Sequence, residues 1–232
     1  MDTGEMAGRG TSRKQTGPHK ATFACHCGAV RGTVGSTGPG AVNRVVCYCD
    51  DCQAFAHWLG RSDLLDQSGG SDIVQLAPAS MAFTDGETNV AGIRLSPRGL
   101  FRFYTSCCHT PVGNMVGTGI PFVGVVAQAF FAEKQNPDSL FGPPIGAIKG
   151  EYAVGTPPAG SKGMPFGLMA RAILKVLSWR MTGRAWPHPF FDRSTGKPNF
   201  PVTVVAPEDR EQLRLLCGPR PMSQVSTRSS AG

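Results

Sequence analysis

The chain has 232 residues, of which 41% are apolar and 17% are charged, a composition that suits a globular protein able to bury a core. Its 30 glycines and 19 prolines favour a turn-rich fold with many strands. The net charge of +7 permits an anionic partner without naming one. No apolar run approaches the roughly 18 residues of a membrane-spanning helix, so such a span is excluded.

Seven of the eight cysteines fall into three short clusters. These are Cys25 and Cys27; Cys47, Cys49 and Cys52; and Cys107 and Cys108. Residues 1–20 are basic and lack the apolar region of a secretory signal, so we expect a reducing compartment, the cytoplasm. Clustered thiols in such a compartment are typical of metal binding.

The first two clusters lie at the ends of predicted strands. After a disordered leader at residues 1–20, residues 22–34 alternate like a strand that Cys25-His26-Cys27-Gly28 interrupts. Glycine after a thiol pair is typical of a turn whose backbone amides point at sulfur. Residues 42–49 predict a second strand, which runs into the second cluster.

The second cluster has the spacing C-x-C-x-x-C, from Cys47 to Cys52. A disulfide fits poorly, because cysteines one residue apart rarely reach bridging geometry. Zn²⁺ binds thiolates at about 2.3 Å, and a tight loop can direct three sulfurs at one ion. A tetrahedral ion would keep a fourth position for water, a substrate or a ligand from elsewhere in the chain.

A short helix is predicted directly after this loop, over about residues 51–59. Asp50 is its predicted N-cap, Gln53 the capping-box partner and Gly60 the residue that ends it. The positive end of the helix dipole would favour the thiolate form of Cys52.

The third cluster, Cys107 and Cys108, also lies at a strand end. Neighbouring side chains in an extended strand point to opposite faces, so both thiols reach one ion only if the backbone turns there. The strands predicted after the short helix are residues 72–76, 81–84, 90–95, 100–104, 112–116 and 122–129.

The C-terminal part predicts a loop, an arm and two helices. Residues 134–163 predict a long ordered loop. Residues 165–182 predict a helix whose apolar stripe docks on the sheet, with a membrane-surface helix as the alternative. Residues 186–192 and 199–205 are expected to pack as an arm, and residues 207–217 form the last helix.

The order of the clusters, with Gly28 after the first, Gln53 after the second and Thr110-Pro111 after the third, resembles the glutathione-dependent formaldehyde-activating enzyme and centromere protein V family. The resemblance covers residues 21–130. It implies a mainly β fold, the β-tent, in which zinc joins stacked antiparallel sheets, here with a C-terminal helical extension. We divide the chain into a leader at 1–20, a zinc-binding β domain at 21–132, a loop and helical extension packed on it at 133–217, and a flexible tail at 218–232.

The resemblance also implies one or two zinc ions per chain. One would be structural, and its expected ligands are Cys25, Cys27, Cys107 and Cys108. The other would be an open site for chemistry, held by Cys47, Cys49 and Cys52. The structural set departs from the family, since Thr105 replaces a cysteine and His109 a glycine. His109 or water therefore remains an alternative to Cys107.

The leading hypothesis is an enzyme of the carbon–sulfur lyase type, similar to S-(hydroxymethyl)glutathione synthase. A thiol such as glutathione and a small aldehyde such as formaldehyde would meet at the open zinc. The arginines that could attract the carboxylate of such a thiol are Arg44, Arg61, Arg94 and Arg102. The alternative is a non-catalytic zinc scaffold that binds a protein or, less favoured, a nucleic acid. No membrane partner is expected.

Overall fold

The computed structural model describes residues 20–35, 40–128 and 136–219. These contain 11 strands in two sheets and four α-helices, which confirms the predicted mainly β fold. The predicted leader, apart from Lys20, and the predicted tail from residue 220 onward lie outside the described residues.

The smaller sheet carries the first cysteine pair. Its strands are β1 (Ala21–Ala24), β2 (Arg31–Val34) and, later in the chain, β5 (Met81–Asp85). All pair antiparallel, in the order β1-β2-β5. Because Ala24 pairs with Arg31, the intervening residues 25–30 form the end of a hairpin, and Cys25 and Cys27 lie there.

The larger sheet has eight strands. They are β3 (Asn43–Cys47), β4 (Ser71–Leu76), β6 (Val90–Arg94), β7 (Phe101–Thr105), β8 (Pro111–Met115), β9 (Val123–Val126), β10 (Ala147–Ile148) and β11 (Val202–Val204). Their order is β10-β3-β4-β9-β8-β7-β6-β11. The inner pairs are antiparallel, as predicted, whereas β10 and β11 add to the two edges in parallel. The C-terminal part of the chain thus completes both edges of the sheet, which covers hydrogen-bonding groups that edges otherwise leave open.

The helices are α1 (Asp50–Trp58), α2 (Pro137–Phe141), α3 (Phe166–Met181) and α4 (Pro207–Leu215). Among them, none combines the length and apolar character needed to cross a bilayer. The prediction of a loop over residues 134–163 is wrong where α2 and β10 lie. Asn136 accepts a hydrogen bond from the Asp138 amide at 2.8 Å, and a proline follows it, which is a typical helix start.

The predicted cap of α1 is wrong by one residue. The helix begins at Asp50, and Cys49 occupies the N-cap without a side-chain hydrogen bond. The two carboxylates of the first turn are used elsewhere: Asp51 accepts from Arg210 of α4 at 2.8 Å, and Asp50 pairs with Arg214 of the same helix. A tertiary contact has therefore displaced the local capping interaction.

Alternation along β7 separates the core from the site. Phe103 lies in the core between the two sheets, and its ring stacks on Phe190 at a centroid distance of 4.7 Å. Phe190 and Phe191 are buried in the same core, so the arm at 186–192 packs as predicted. On the opposite face of β7, Arg102 lies over the Phe55 ring of α1.

The prediction that the apolar stripe of α3 docks on the sheet is wrong. The stripe is exposed along the helix, at Phe166, Met169, Ile173, Leu174, Leu177 and Met181. The helix is held instead through its other side, where Trp179 is buried. Arg171 Nε donates to Asn43 Oδ1 at 2.8 Å, and Lys175 Nζ donates to the Ala41 carbonyl at 3.1 Å. Polar contacts to the domain thus hold the helix with its apolar face towards solvent.

A glycine holds the hairpin that carries the first cysteine pair. Gly86 has φ +73°, and a Cβ there would lie 1.9 Å from the Ala29 carbonyl oxygen. We predict that Gly86→Ala lowers the free energy of unfolding by about 3 kcal/mol or more, the sum of left-handed strain and overpacking. At Gly60, with φ +66° and open space around the Cβ position, the same change should cost only the strain, about 1–2 kcal/mol. Urea unfolding measures both, and equal losses would contradict the contact.

Candidate metal centres

The first centre is formed by four thiols from two distant segments. The Sγ atoms of Cys25, Cys27, Cys107 and Cys108 all lie within 4.8 Å of one another, and each is a free thiol. Cys27 Sγ lies 3.5 Å from Cys25 Sγ and 3.4 Å from Cys107 Sγ. A tetrahedron with zinc–sulfur bonds of about 2.3 Å has edges of about 3.8 Å, whereas a disulfide needs about 2.05 Å. The spacing therefore fits one tetrahedral ion.

The turn after β7 brings Cys107 and Cys108 to the same point. His109 adopts φ 55°, and its backbone N–H donates to the Thr105 carbonyl at 2.8 Å, so the chain reverses instead of extending. The imidazole of His109 lies elsewhere, with Nδ1 3.0 Å from the Leu59 carbonyl oxygen. The structure thus groups the thiol of Cys107, and not the alternative His109, with the other three.

Polar groups around the first centre favour one thiolate. The hydroxyls of Thr110 and Thr105 lie 3.3 and 3.5 Å from Cys108 Sγ. Burial raises the pKa of Cys108, but hydrogen bonds from Thr105 and Thr110 outweigh it and bring the pKa to about 5. Burial and a hydrogen bond with Cys27 raise the pKa of Cys107 to about 12. A divalent cation would allow the other thiols to ionise as well.

The second centre has three thiols from one loop. Cys47 ends β3, Cys49 is the N-cap of α1 and Cys52 lies in its first turn, and their Sγ atoms lie within 4.8 Å of one another. The Cys52 amide donates to the Cys49 carbonyl at 3.0 Å, which closes the loop. No fourth His, Cys, Asp or Glu side chain joins this group in the part of the chain that the structure describes. Protein ligands for three positions are present.

A buried arginine adjoins the second centre. The side chain of Arg102 is 1% exposed and lies beside Cys52. Hydrogen bonds from Cys47 and Cys49, together with the positive charge of Arg102, hold the pKa of Cys52 well below its ordinary value although burial opposes them. Hydrogen bonds with Cys47 and Cys52, together with burial, raise the pKa of Cys49. Within this loop a thiolate is therefore favoured at Cys52 over Cys49.

Gln53 fixes the loop to the C-terminal part of the chain. Its buried amide donates to the carbonyls of Tyr48 and Tyr152 at 2.7 and 2.9 Å. Its Oε1 accepts from the Gly218 amide at 2.9 Å. The prediction of a capping role for Gln53 is wrong, and so is the start of a flexible tail at the buried Gly218. Sequence reasoning missed this contact because its partners lie 99 and 165 residues away.

The four arginines proposed to attract a carboxylate differ in their surroundings. Arg44 is buried and pairs with Asp72 at 2.6 Å, and Arg61 pairs with Asp63 at 2.8 Å. Arg94 lies over the Phe101 ring. Of the four, Arg102 adjoins the second centre, and Arg61 interacts through its charge with Cys108 of the first.

Two sheets joined by four thiols, with a separate three-thiol loop at the start of a helix, define a mainly β protein with two candidate metal centres. The chain belongs to a family of unknown function (DUF6151), which residues 19–202 match. No curated protein matches it. A crystal structure of a Rhodobacter sphaeroides protein is similar at 18% identity and a TM-score of 0.36, over 51% of this chain and 94% of that one. A likeness this distant carries no argument about fold or function.

We predict that each centre binds its own ion. Cys49→Ser and Cys108→Ser should each lose about one metal equivalent, because a tetrahedral thiolate site depends on every ligand. Only Cys108→Ser should lower the melting temperature strongly, since the first centre joins segments 80 residues apart. Cys217→Ser, a thiol outside both groups, is the control and should keep all bound metal. Metal analysis with thermal unfolding measures this, and equal losses in the control would contradict it.

Proposed function

We propose that the protein is a zinc enzyme that joins a thiol to a small aldehyde and catalyses the reverse, a carbon–sulfur lyase step. Glutathione is the proposed thiol and formaldehyde the simplest aldehyde. The proposal places the protein in the cytoplasm, where a reducing environment keeps thiols free for the metal. The resemblance of the cysteine pattern to the formaldehyde-activating enzyme and centromere protein V family supports it.

The observation that carries the proposal is the difference between the two centres. One offers four thiols, which suffice to enclose a tetrahedral ion, and the other offers three. Zinc sites that keep one position for an exchangeable ligand are typically catalytic, whereas closed thiolate sites are structural. We therefore assign chemistry to the loop of Cys47, Cys49 and Cys52 and structural support to the first centre.

The reaction adds RSH to R′CHO to give RS–CH(OH)R′. The sulfur bonds to the carbonyl carbon, the carbonyl π pair moves to oxygen, and the proton that the thiol loses ends on that oxygen. Cys47, Cys49 and Cys52 would hold the ion, which when bound stabilises a thiolate or polarises a carbonyl. The Gln53 hydrogen bonds keep the loop backbone in place, and Arg102 supplies a fixed positive charge beside it.

A second candidate is a non-catalytic zinc scaffold that binds an anionic macromolecule. The stretch from residue 152 to residue 191 supports it, since it holds five lysines and arginines and no Asp or Glu. Under this alternative, binding to DNA would weaken steeply as salt rises.

We predict that the zinc-loaded protein accelerates the exchange between free formaldehyde and its glutathione adduct, as measured by exchange NMR. Cys49→Ser should abolish the acceleration because it removes a ligand of the open centre. Cys217→Ser is the matched control and should keep it. If the wild-type protein with both centres loaded accelerates the reaction with none of a panel of small aldehydes, the enzyme proposal fails and the scaffold remains.

A further inference from the structure

A small cavity lies between α1 and the larger sheet, next to the second centre. Most of its lining is apolar, and Cys52, Phe55, Leu59, Arg102, Pro111 and Asn114 contribute to it. Its volume open to the centre of a water molecule is about 10 Å³, which is room for about one water. A single oxygen atom of a ligand therefore fits.

Arg102 enters this cavity with an unsatisfied donor. Its Nη1 lies 3.4 Å from Asn114 Oδ1, at the long limit of a hydrogen bond, and its Nη2 has no hydrogen-bond partner among the described residues. The Phe55 ring covers the guanidinium at 5.3 Å. The charge of the guanidinium is balanced by the Cys52 sulfur, but a buried N–H without an acceptor is costly, so Nη2 suits a ligand that supplies one.

We propose that Arg102 Nη2 binds the oxygen of the small aldehyde, or the alkoxide oxygen of its thiol adduct, beside the second centre. This inference rests on the proposed function and adds the residue that selects the substrate oxygen. A fixed donor aimed at an oxygen that gains negative charge stabilises the transition state of carbonyl addition. We expect the one-water size of the cavity to favour small carbonyl compounds.

Formate, a one-carbon anion, serves as the probe. The protein is loaded with Co²⁺, and formate binding is followed by the visible bands of the metal. Arg102→Met should bind the same amount of metal but weaken formate by about tenfold or more, the loss of one hydrogen bond to a charged group. Arg94→Met, which removes an arginine of the neighbouring strand, is the control and should leave formate affinity unchanged.

Equal formate affinity in wild type and Arg102→Met would overturn the assignment. If Arg102→Met does not fold, Arg102→Lys takes its place, because lysine keeps the charge and lacks the paired nitrogens of arginine. A formate affinity of Arg102→Lys equal to that of wild type would again overturn the assignment.

The oxygen-site proposal and the enzyme proposal fail separately. Formate binding that depends on Arg102, without any acceleration of adduct exchange, would support the oxygen site and contradict the enzyme proposal. Full acceleration of adduct exchange in Arg102→Met would support the enzyme and contradict the oxygen site.

A different observation, the exposed face of α3, carries a second inference. Phe166, Leu174 and Met181 are 80%, 67% and 86% exposed, and Ile173 and Leu177 lie between them on the same face. An apolar stripe of this size along one helix marks a docking surface. Arg180 follows Leu177 by three residues, lies on the same face and is exposed, whereas Arg171 and Lys175 contact the domain from the opposite side of the helix.

The charges around α3 indicate what docks there. Residues 152–191 contain no Asp or Glu, and their cations are Lys162, Arg171, Lys175, Arg180 and Arg184. A two-fold contact through the stripe would cover Arg180 of each copy without a carboxylate from this stretch to pair with it. An anionic lipid surface offers both an apolar layer and negative charge.

We infer that α3 lies on anionic membrane surfaces, in place of the expectation of no membrane partner. The full chain should sediment with vesicles of phosphatidylcholine and phosphatidylglycerol, less so as salt rises, and not with phosphatidylcholine alone. Ile173→Ser with Leu177→Ser should weaken binding by about tenfold or more, since two large apolar side chains no longer enter the bilayer. Leu215→Ser with Leu216→Ser, which changes exposed leucines at the end of α4, is the control and should bind like wild type.

Three results would overturn this inference. One is a wild-type protein that does not sediment with anionic vesicles. Another is equal loss of binding in the control pair. The third is a concentration-dependent dimer, seen by light scattering, that Ile173→Ser with Leu177→Ser abolishes, because the face would then be covered by a second copy.

Discussion

The constraint on which this structure depends is that closely spaced thiols can share only one negative charge unless a cation binds them. Four thiols meet where the hairpin of the smaller sheet faces the turn after β7, and three more meet at the start of α1. Without a cation, each group favours a single thiolate, at Cys108 and at Cys52, while neighbours such as Cys107 and Cys49 stay protonated. A divalent ion lets the other thiols ionise and attracts all of them, so metal binding and the docking of the two sheets are coupled at the first centre.

Charge balance distinguishes the second centre from the first. Three thiolates and a divalent ion carry one net negative charge, and the buried guanidinium of Arg102 compensates it. Four thiolates around one ion carry two negative charges, but Cys27 and Cys107 are exposed, so solvent screens that centre. The guanidinium of Arg102 thus offsets charge at the second centre, and it has a donor left over for a ligand.

The C-terminal part of the chain holds the second centre in place. Arg210 and Arg214 bind the carboxylates at the start of α1, and Gly218 bonds to Gln53 one residue after Cys52. The same part of the chain adds the parallel strands β10 and β11 at opposite edges of the larger sheet. The open loop is thus framed by residues that follow it by about a hundred positions or more, which makes its geometry a property of the whole chain.

Local patterns predicted the parts of the fold that depend on local chemistry. Cysteine spacing predicted the loop of Cys47, and alternation predicted most inner strands. The two-residue β10 has no local signal, and the cap of α1 was displaced by α4. The stripe of α3 correctly located an apolar face but could not indicate whether protein covers it, because periodicity reports only the direction of the face. The site partner Arg102 appeared only as one of four arginines, since its burial depends on the pairing of β7 with its neighbours.

Anomalous diffraction at the zinc edge, from crystals of the zinc-loaded protein, tests the central claim most directly. The account predicts two peaks. One should lie at bonding distance, about 2.3 Å, from the sulfurs of Cys25, Cys27, Cys107 and Cys108, and the other from those of Cys47, Cys49 and Cys52 with a non-protein fourth ligand. Disulfides without a peak at either group would contradict the account, and a protein side chain in the fourth position of the second ion would remove the basis for catalysis.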